Sequence, residues 1–235
     1  YSSSTLELHD DPEWEKFWWI QLYKFACASA EDSDLVIDTQ GPWITASAWA
    51  GVWWNLNAQL SYMPMYSANK LEVGKSLING INRMYHLGVL NQNAGGTGIN
   101  IGRSSNYKGY ASWGDEFGNL PWLLYSYWRY WKFSGNNDIG KQLFPMLKES
   151  AAFLMSKMKK GEDGYLHLVP SRSPEFTEEL YPDANYAVMS ARWVLKTLLE
   201  MDTLFKFNDP QKTNWLNTFQ NLAPYPENEH GLMIS

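Results

Sequence analysis

Apolar residues recur at helical spacing along this chain and are interrupted by long polar stretches, not by strand-like runs. That pattern constrains the fold more than any other feature of the sequence. Seven segments carry it: about Glu13–Ala30, Val52–Tyr66, Asn69–Leu87, Leu120–Phe133, Asp138–Lys159, Asn185–Phe207, and a last one from Asp209–Pro210 to just before "APYPENEHGLM". Asp11 with Pro12 reads as an N-cap and first position, and Trp14, Phe17, Trp18, Leu22 and Phe25 fall on one face of the helix that follows. Asn69 with Glu72 reads as a capping box, Asn119 as the cap of the fourth helix, and Asp183 or Asn185 as the cap of the sixth. Pro64 bends or ends the second helix. Strand signals are confined to short pieces around Tyr165–Val169, after a turn at Asp163–Gly164. The fold class is therefore all-α: helices in antiparallel pairs, an α/α toroid or a helical bundle, with short extended segments in the loops.

Two loops stand out between the helices, the second of them too long to be a simple connection. "QGPWITASAWAG" (40–51) is rich in Gly, Pro and Ser, and residues 91–118 form a polar loop rich in Gly, Ser and Asn. Loops of such length inside a compact domain are usually functional or disordered. The aromatics and the acidic pair Asp115–Glu116 in the second favour function.

With 45% hydrophobic and 19% charged residues the chain can build a substantial core. Thirteen Trp, fourteen Tyr and ten Phe exceed what even a full core needs, and flat apolar rings also suit the C–H faces of sugars. A net charge of −6 argues against nucleic acid, and the one tight basic run, "KMKKG" (157–161), reads as a helix C-terminus. The single cysteine, Cys27, leaves no intramolecular disulfide or zinc cluster and reads as a core residue. No apolar run is long enough to span a membrane, and "YSSSTLELHDD" has no signal-peptide pattern. His9, His86, His167 and His230 show no metal-ligand spacing, so neither metal nor cofactor is expected.

Within "GVWWNLNAQLSYMP" (51–64), Asn55 and Asn57 stand among apolar side chains. A buried carboxamide is unfavourable unless its donors and acceptor find partners. Either the two pin loop backbone, or they hold a water or a sugar hydroxyl. Residues i and i+2 of a regular helix point about 200° apart, so both reach one site only from a distorted turn or a loop. Glu175 in "SRSPEF" follows Pro174 in a loop with Phe176 and Tyr181 close by, and reads either as an exposed glutamate or as a carboxyl kept protonated by apolar surroundings. Asp115 and Glu116 read as a base and a sugar-binding acid or, better, as a solvated turn.

Taken together and in order, "QGPW" (40–43), "WWNLNAQLSYMP" (53–64), "GNLPWLLYSYWRYWKFSGN" (118–136), "DGYLHLVPSRSPE" (163–175) and "NEHGLM" (228–233) resemble the catalytic domain of glycoside hydrolase family 95. That is the α-L-fucosidase and α-L-galactosidase group. The resemblance implies an (α/α)6 toroid of six helical hairpins, which seven helices do not close. Residues 1–235 are then expected to be part of one catalytic domain, its N-terminal half, continuing past 235. By position it makes Glu175 the general acid and Asn55 and Asn57 the residues that activate the attacking water, in an inverting, exo-acting hydrolysis of an oligosaccharide or polysaccharide. The family's base aspartate lies past the S-P-E motif, outside this chain. Phe176 stands where the family usually has Asn, and Trp53 where it commonly has His. Trp43, Trp53 and Trp113 are candidate aromatic platforms for the sugar, with Asp115 and Glu116 as candidate polar contacts, while Trp54 reads as core. A secreted or periplasmic location also follows from the resemblance. The alternatives are a non-catalytic carbohydrate-binding relative, and another toroid enzyme, a lyase or an epimerase, in which His167 opposite Tyr181 acts as base.

Overall fold

The computed structural model describes residues 5–41, 49–112, 114–174 and 179–231. Among them are eight helices: α1 Pro12–Ala28, α2 Asn57–Ser67, α3 Leu71–His86, α4 Val89–Asn93, α5 Asn119–Ser134, α6 Asn137–Ser156, α7 Asn185–Phe205 and α8 Lys212–Asn221. Five short strands accompany them. β1 Val52–Trp53, β2 Ser104–Ser105 and β3 Ala111–Ser112 form one antiparallel ribbon, and β4 Met158–Lys160 pairs with β5 Leu166–Leu168.

The connections between α2 and α3, α5 and α6, and α7 and α8 span only residues 68–70, 135–136 and 206–211, so each couple is a helical hairpin. The segments that lead into the hairpins are long: 29–56, 87–118 and 157–184. α5 packs on α2, α3, α6 and α7, and α7 also packs on α6 and α8. Ring contacts show that α5 and α7 run parallel. Trp122 meets Tyr186 near their N-termini, Tyr125 meets Trp193 further along, and Trp131 meets Phe205 near their C-termini. Near the C-termini of α2 and α5, Tyr66 meets Phe133 in the same way. Three parallel helices therefore form a row, with their partners returning beside them, and the long segments gather at the N-terminal end of the row.

The helices form because their apolar positions recur at three and four residues and find one another. Leu120, Leu123, Leu124 and Tyr127 of α5, Leu143, Leu147 and Leu154 of α6, and Val188, Val194, Leu195 and Leu198 of α7 are essentially inaccessible. Each such aliphatic side chain contributes about 1.5–3 kcal/mol by leaving water. Gly140 lets α6 approach α5 closely: a Cβ there would lie 2.6 Å from the indole of Trp131.

Several boundaries differ from the sequence expectation. α2 starts at Asn57, not at Val52, because Val52 and Trp53 pair with Ser105 and Ser104. α6 ends at Ser156 with Lys157 as its C-cap, and "MKK" (158–160) forms β4 instead of a basic helix terminus. α4 lies at the start of what reads as an unbroken loop. The Asp11 cap and Pro12 are as expected, with Asp11 accepting from the Trp14 amide at 3.3 Å. The other caps are not. Asn69 sits at φ 52° ahead of α3, Asn119 is already helical, and Ala184 occupies the N-cap position of α7. Asp209 precedes α8 and accepts from the Gln211 amide. Cys27 is exposed and not a core residue, and Trp14 and Phe17 of the predicted apolar face are also exposed.

Replacing Gly140 by Ala should force α6 away from Trp131 and lower stability by about 1–3 kcal/mol, read as a shift of the chemical-denaturation midpoint with an unchanged slope.

Candidate active site

The turn that carries the two asparagines is built by the β-ribbon. The Trp54 amide donates to the Arg103 carbonyl at 2.7 Å, and the Trp54 indole donates to Ser105 Oγ at 2.9 Å. Trp54 is core, as its sequence context implies. Residues 54–56 then turn into α2, so Asn55 stands in the turn and Asn57 at the first helical position. This is the irregular backbone that a pair at i and i+2 needs in order to serve one site.

Asn55 is 3% exposed, and neither its Oδ1 nor its Nδ2 has a hydrogen-bond partner among the described residues. Beside this turn, Gln59 gives its amide to the Trp54 carbonyl and leaves its own Oε1 without a partner. Asn57, Leu56, Leu60 and Ser61 line a cavity of 540 Å³ with Asp38 and Gln40. Trp53 is half-buried. Its indole donates to the Trp49 carbonyl at 3.2 Å, and its ring lies 4.7 Å from that of Trp49, which is itself exposed. Trp49 is a candidate platform that sequence reasoning passed over. Only its pairing with Trp53 reveals it.

Glu116 does not lie in a solvated turn. It is fully buried, and Oε1 accepts from Arg103 Nε at 2.5 Å while Oε2 accepts from Asn119 Nδ2 at 2.8 Å. Asn119 Oδ1 in turn accepts from the Tyr186 hydroxyl at 2.8 Å. Burial pushes the Glu116 carboxyl up against the opposing pull of Asn119 and Arg103, and burial also drives the Tyr186 phenol well up. Gly118 leaves room for this arrangement, since a Cβ there would clash with the Tyr186 ring. Asp115 is partly exposed and holds Arg172: Oδ2 accepts from Nε at 3.2 Å and from Nη2 at 3.0 Å, and the Asp115 carbonyl accepts from the Arg172 amide at 2.9 Å. The structure thus brings Asp115 to the segment that leads into the S-P-E motif and turns Glu116 inward. Glu175, Trp43 and Trp113 lie outside the described residues.

Asp183 and His167 close the base of that same segment. Asp183, at φ 50°, is not a helix cap. Its Oδ1 accepts from the Leu168 amide at 2.7 Å, and its Oδ2 lies 2.6 Å from His167 Nδ1. Asp163 takes the other ring nitrogen at 3.0 Å. Asp183 first and Asp163 second raise the His167 pKa above its ordinary 6.5, and the same contact lowers that of Asp163. The Tyr181 hydroxyl donates to Glu179. Both nitrogens of His167 are therefore held by carboxylates and not turned toward Tyr181, as a lyase or epimerase base would require.

A groove of 360 Å³, almost wholly apolar, runs between α5 and α7, lined by Pro121, Trp122, Tyr125, Tyr186, Met189 and Trp193. It too escaped the sequence reading, because each ring sits at a spacing that an ordinary core would also show. Among the described residues no group of three or more His, Cys, Asp or Glu side chains could hold a metal ion, and no helix is long and apolar enough to cross a membrane.

Residues 9–233 match the glycosyl hydrolase family 95 catalytic domain. The chain belongs to that family. Among solved structures, the family 95 chain is similar to one named "Putative kojibiose phosphorylase from human microbiome", with a TM-score of 0.72 and 14% identity. The match covers 89% of this chain and 31% of that one, so the chain spans about a third of its solved relative. At this identity the likeness shows the fold: the all-α toroid of six-hairpin glycosidases, of which the three hairpins are a part. A comparison with curated proteins gives no significant match.

Two predictions follow from the polar contacts. Glu116→Ala removes the buried carboxylate that Arg103 and Asn119 hold and should lower stability by about 3–5 kcal/mol in chemical denaturation. Since the folded state raises the pKa of His167, its stabilising share is complete below about pH 6.5 and is lost as pH rises through the folded value. The share of Asp163, whose pKa is lowered from 3.8, is present above that value and lost as pH falls. The melting temperature of the protein should therefore exceed that of His167→Gln most between about pH 4 and 6.5, with the gap closing toward pH 9.

Proposed function

We propose that this family 95 chain forms part of a glycoside hydrolase catalytic domain, its N-terminal half, that removes an α-linked sugar from the end of an oligosaccharide or polysaccharide with inversion. L-Fucose or L-galactose is the sugar its family implies. The observation that carries this reading is Asn55. A carboxamide removed from solvent, with both polar atoms lacking a partner among the described residues, is unfavourable by roughly 1–3 kcal/mol for each group left unpaired. Such a group is retained where it has something to hold, and a catalytic water with a sugar hydroxyl matches its donor and acceptor. Asn57, at the head of α2 beside a cavity, supports the same role.

In the proposed reaction the Glu175 carboxyl gives its proton to the glycosidic oxygen as the bond to C1 breaks. The water held by Asn55 and Asn57 attacks C1 from the opposite face, and its proton passes to a carboxylate that the family resemblance assigns to an aspartate past residue 235. Such pairs stand roughly 6.5–9.5 Å apart in inverting enzymes, leaving room for the water. No cofactor enters this chemistry. The Trp49–Trp53 pair and the rings of the α5–α7 groove offer apolar faces for the sugar and its aglycone. The expected place of action is secreted or periplasmic.

The test is anomer-resolved NMR of sugar released from fucosylated and galactosylated oligosaccharides by the full-length protein, with and without inorganic phosphate. An inverted free sugar is expected, with kcat/KM reduced about 10²–10⁴-fold in Glu175→Gln and about 10²-fold or more in Asn55→Ala. Product of retained configuration, or none, would overturn the reading, and a sugar phosphate formed only with phosphate present would make the enzyme a phosphorylase.

A further inference from the structure

Because Glu175 stands three residues beyond Arg172, whatever fixes Arg172 also fixes the root of the segment that would deliver the acid. That root is stitched across the site. Ser171 and Tyr181 exchange two backbone hydrogen bonds of 2.9 Å, so the residues on either side of the S-P-E motif share a defined base. Inside this base Arg172 is tied to Asp115 three times, through its amide, Nε and Nη2. Its side chain is 11% exposed, and that of Asp115 34%. Asp115 itself is fixed, because its neighbour Glu116 is locked to Arg103 and Asn119 at the head of α5.

A carboxylate that binds sugar presents its oxygens to the ligand. Asp115 instead presents Oδ2 to a guanidinium carried by the next long segment, at charge-assisted distances, with a backbone bond alongside. We infer that Asp115 and Arg172 are a positioning pair: their ion pair fixes the backbone from which the S-P-E motif departs, and Asp115 serves the acid and not the sugar. The inference rests on the reading of Glu175 as general acid. The cost of misplacing a reacting group by about 1 Å is near 10²-fold in rate, so a cation three residues away has ample leverage without touching substrate.

The effect is separable from general destabilisation and from sugar binding by leaving group. A fucosylated oligosaccharide needs a proton on its departing oxygen, whereas a 2,4-dinitrophenyl α-L-fucoside or α-L-galactoside departs as a stable phenolate and does not. In the full-length protein, Arg172→Ala and Asp115→Asn should lose about 10–100-fold in kcat on the oligosaccharide, with KM and the rate on the dinitrophenyl glycoside little changed. Arg172→Lys, which keeps the charge and loses the fork, should recover part of the loss.

Equal losses on both substrates, or a rise in KM alone, would overturn the proposal; the second result would return Asp115 to the sugar. Glu175→Gln on the same two substrates tests the reading beneath it. If that variant shows no leaving-group dependence, Glu175 is not the acid and the reading falls. If it shows the dependence and the Arg172 and Asp115 variants do not, only the positioning pair falls. Hydrogen exchange across residues 173–180 provides a readout that needs no turnover. Faster exchange is expected in Arg172→Ala and in Asp115→Asn, and exchange unchanged in both would overturn the proposal on its own.

Discussion

The buried ion pair of Arg103 and Glu116 is the contact on which the arrangement of this site depends. Arg103 belongs to the ribbon that shapes the asparagine turn: its carbonyl holds the Trp54 amide, and its own amide is held by Ser112. Glu116 heads α5, and through Asn119 it reaches Tyr186 in the first turn of α7. One line of hydrogen bonds thus runs from the residue before Asn55 to the helix that follows the S-P-E segment. Removing two charges from water is costly, and pairing alone rarely repays it, but breaking one partner is worse still. A pair of this kind adds little net stability, and it ties the ribbon to the head of α5 through one defined contact.

The helices provide what the ion pair cannot, which is a rigid floor. Apolar spacing along α5, α6 and α7 was legible in the sequence because a 3.6-residue period leaves a local signature. What the sequence did not disclose were the points at which a side chain had a better partner far away. Asp183 is a good cap by residue type, yet the Leu168 amide and His167 claim it. Asn119 reads as a cap and instead links Glu116 to Tyr186. Glu116 reads as a solvated turn because its neighbours are Gly, Asp and Phe, while the guanidinium that buries it stands thirteen residues upstream. In each case local preference lost to a tertiary hydrogen bond, and that outcome has no periodicity to read.

The candidate site divides along the same line. The asparagine turn was legible because two carboxamides among tryptophans are anomalous in any fold, and in the folded chain two polar atoms of Asn55 still lack a partner among the described residues. The aromatic groove was not, because Trp122, Tyr125 and Trp193 look like core residues until the packing of α5 beside α7 shows them lining a groove. Half-buried rings on α5 and α7 are informative only once the row of parallel helices shows which face they occupy.

In the proposed reaction, stability and chemistry use different residues at the same end of the row. The side chains that make several good hydrogen bonds, Glu116, Asn119 and Asp183, join segments to one another. Among the described residues the Asn55 side chain makes none, although it sits a single residue from the Trp54 anchor. A carboxamide can hold a reacting water only if it is not already satisfied by protein, and it can hold that water in one place only if its backbone cannot move. Trp54 meets the second condition, with its amide fixed to Arg103 and its indole to Ser105, and so allows Asn55 to meet the first.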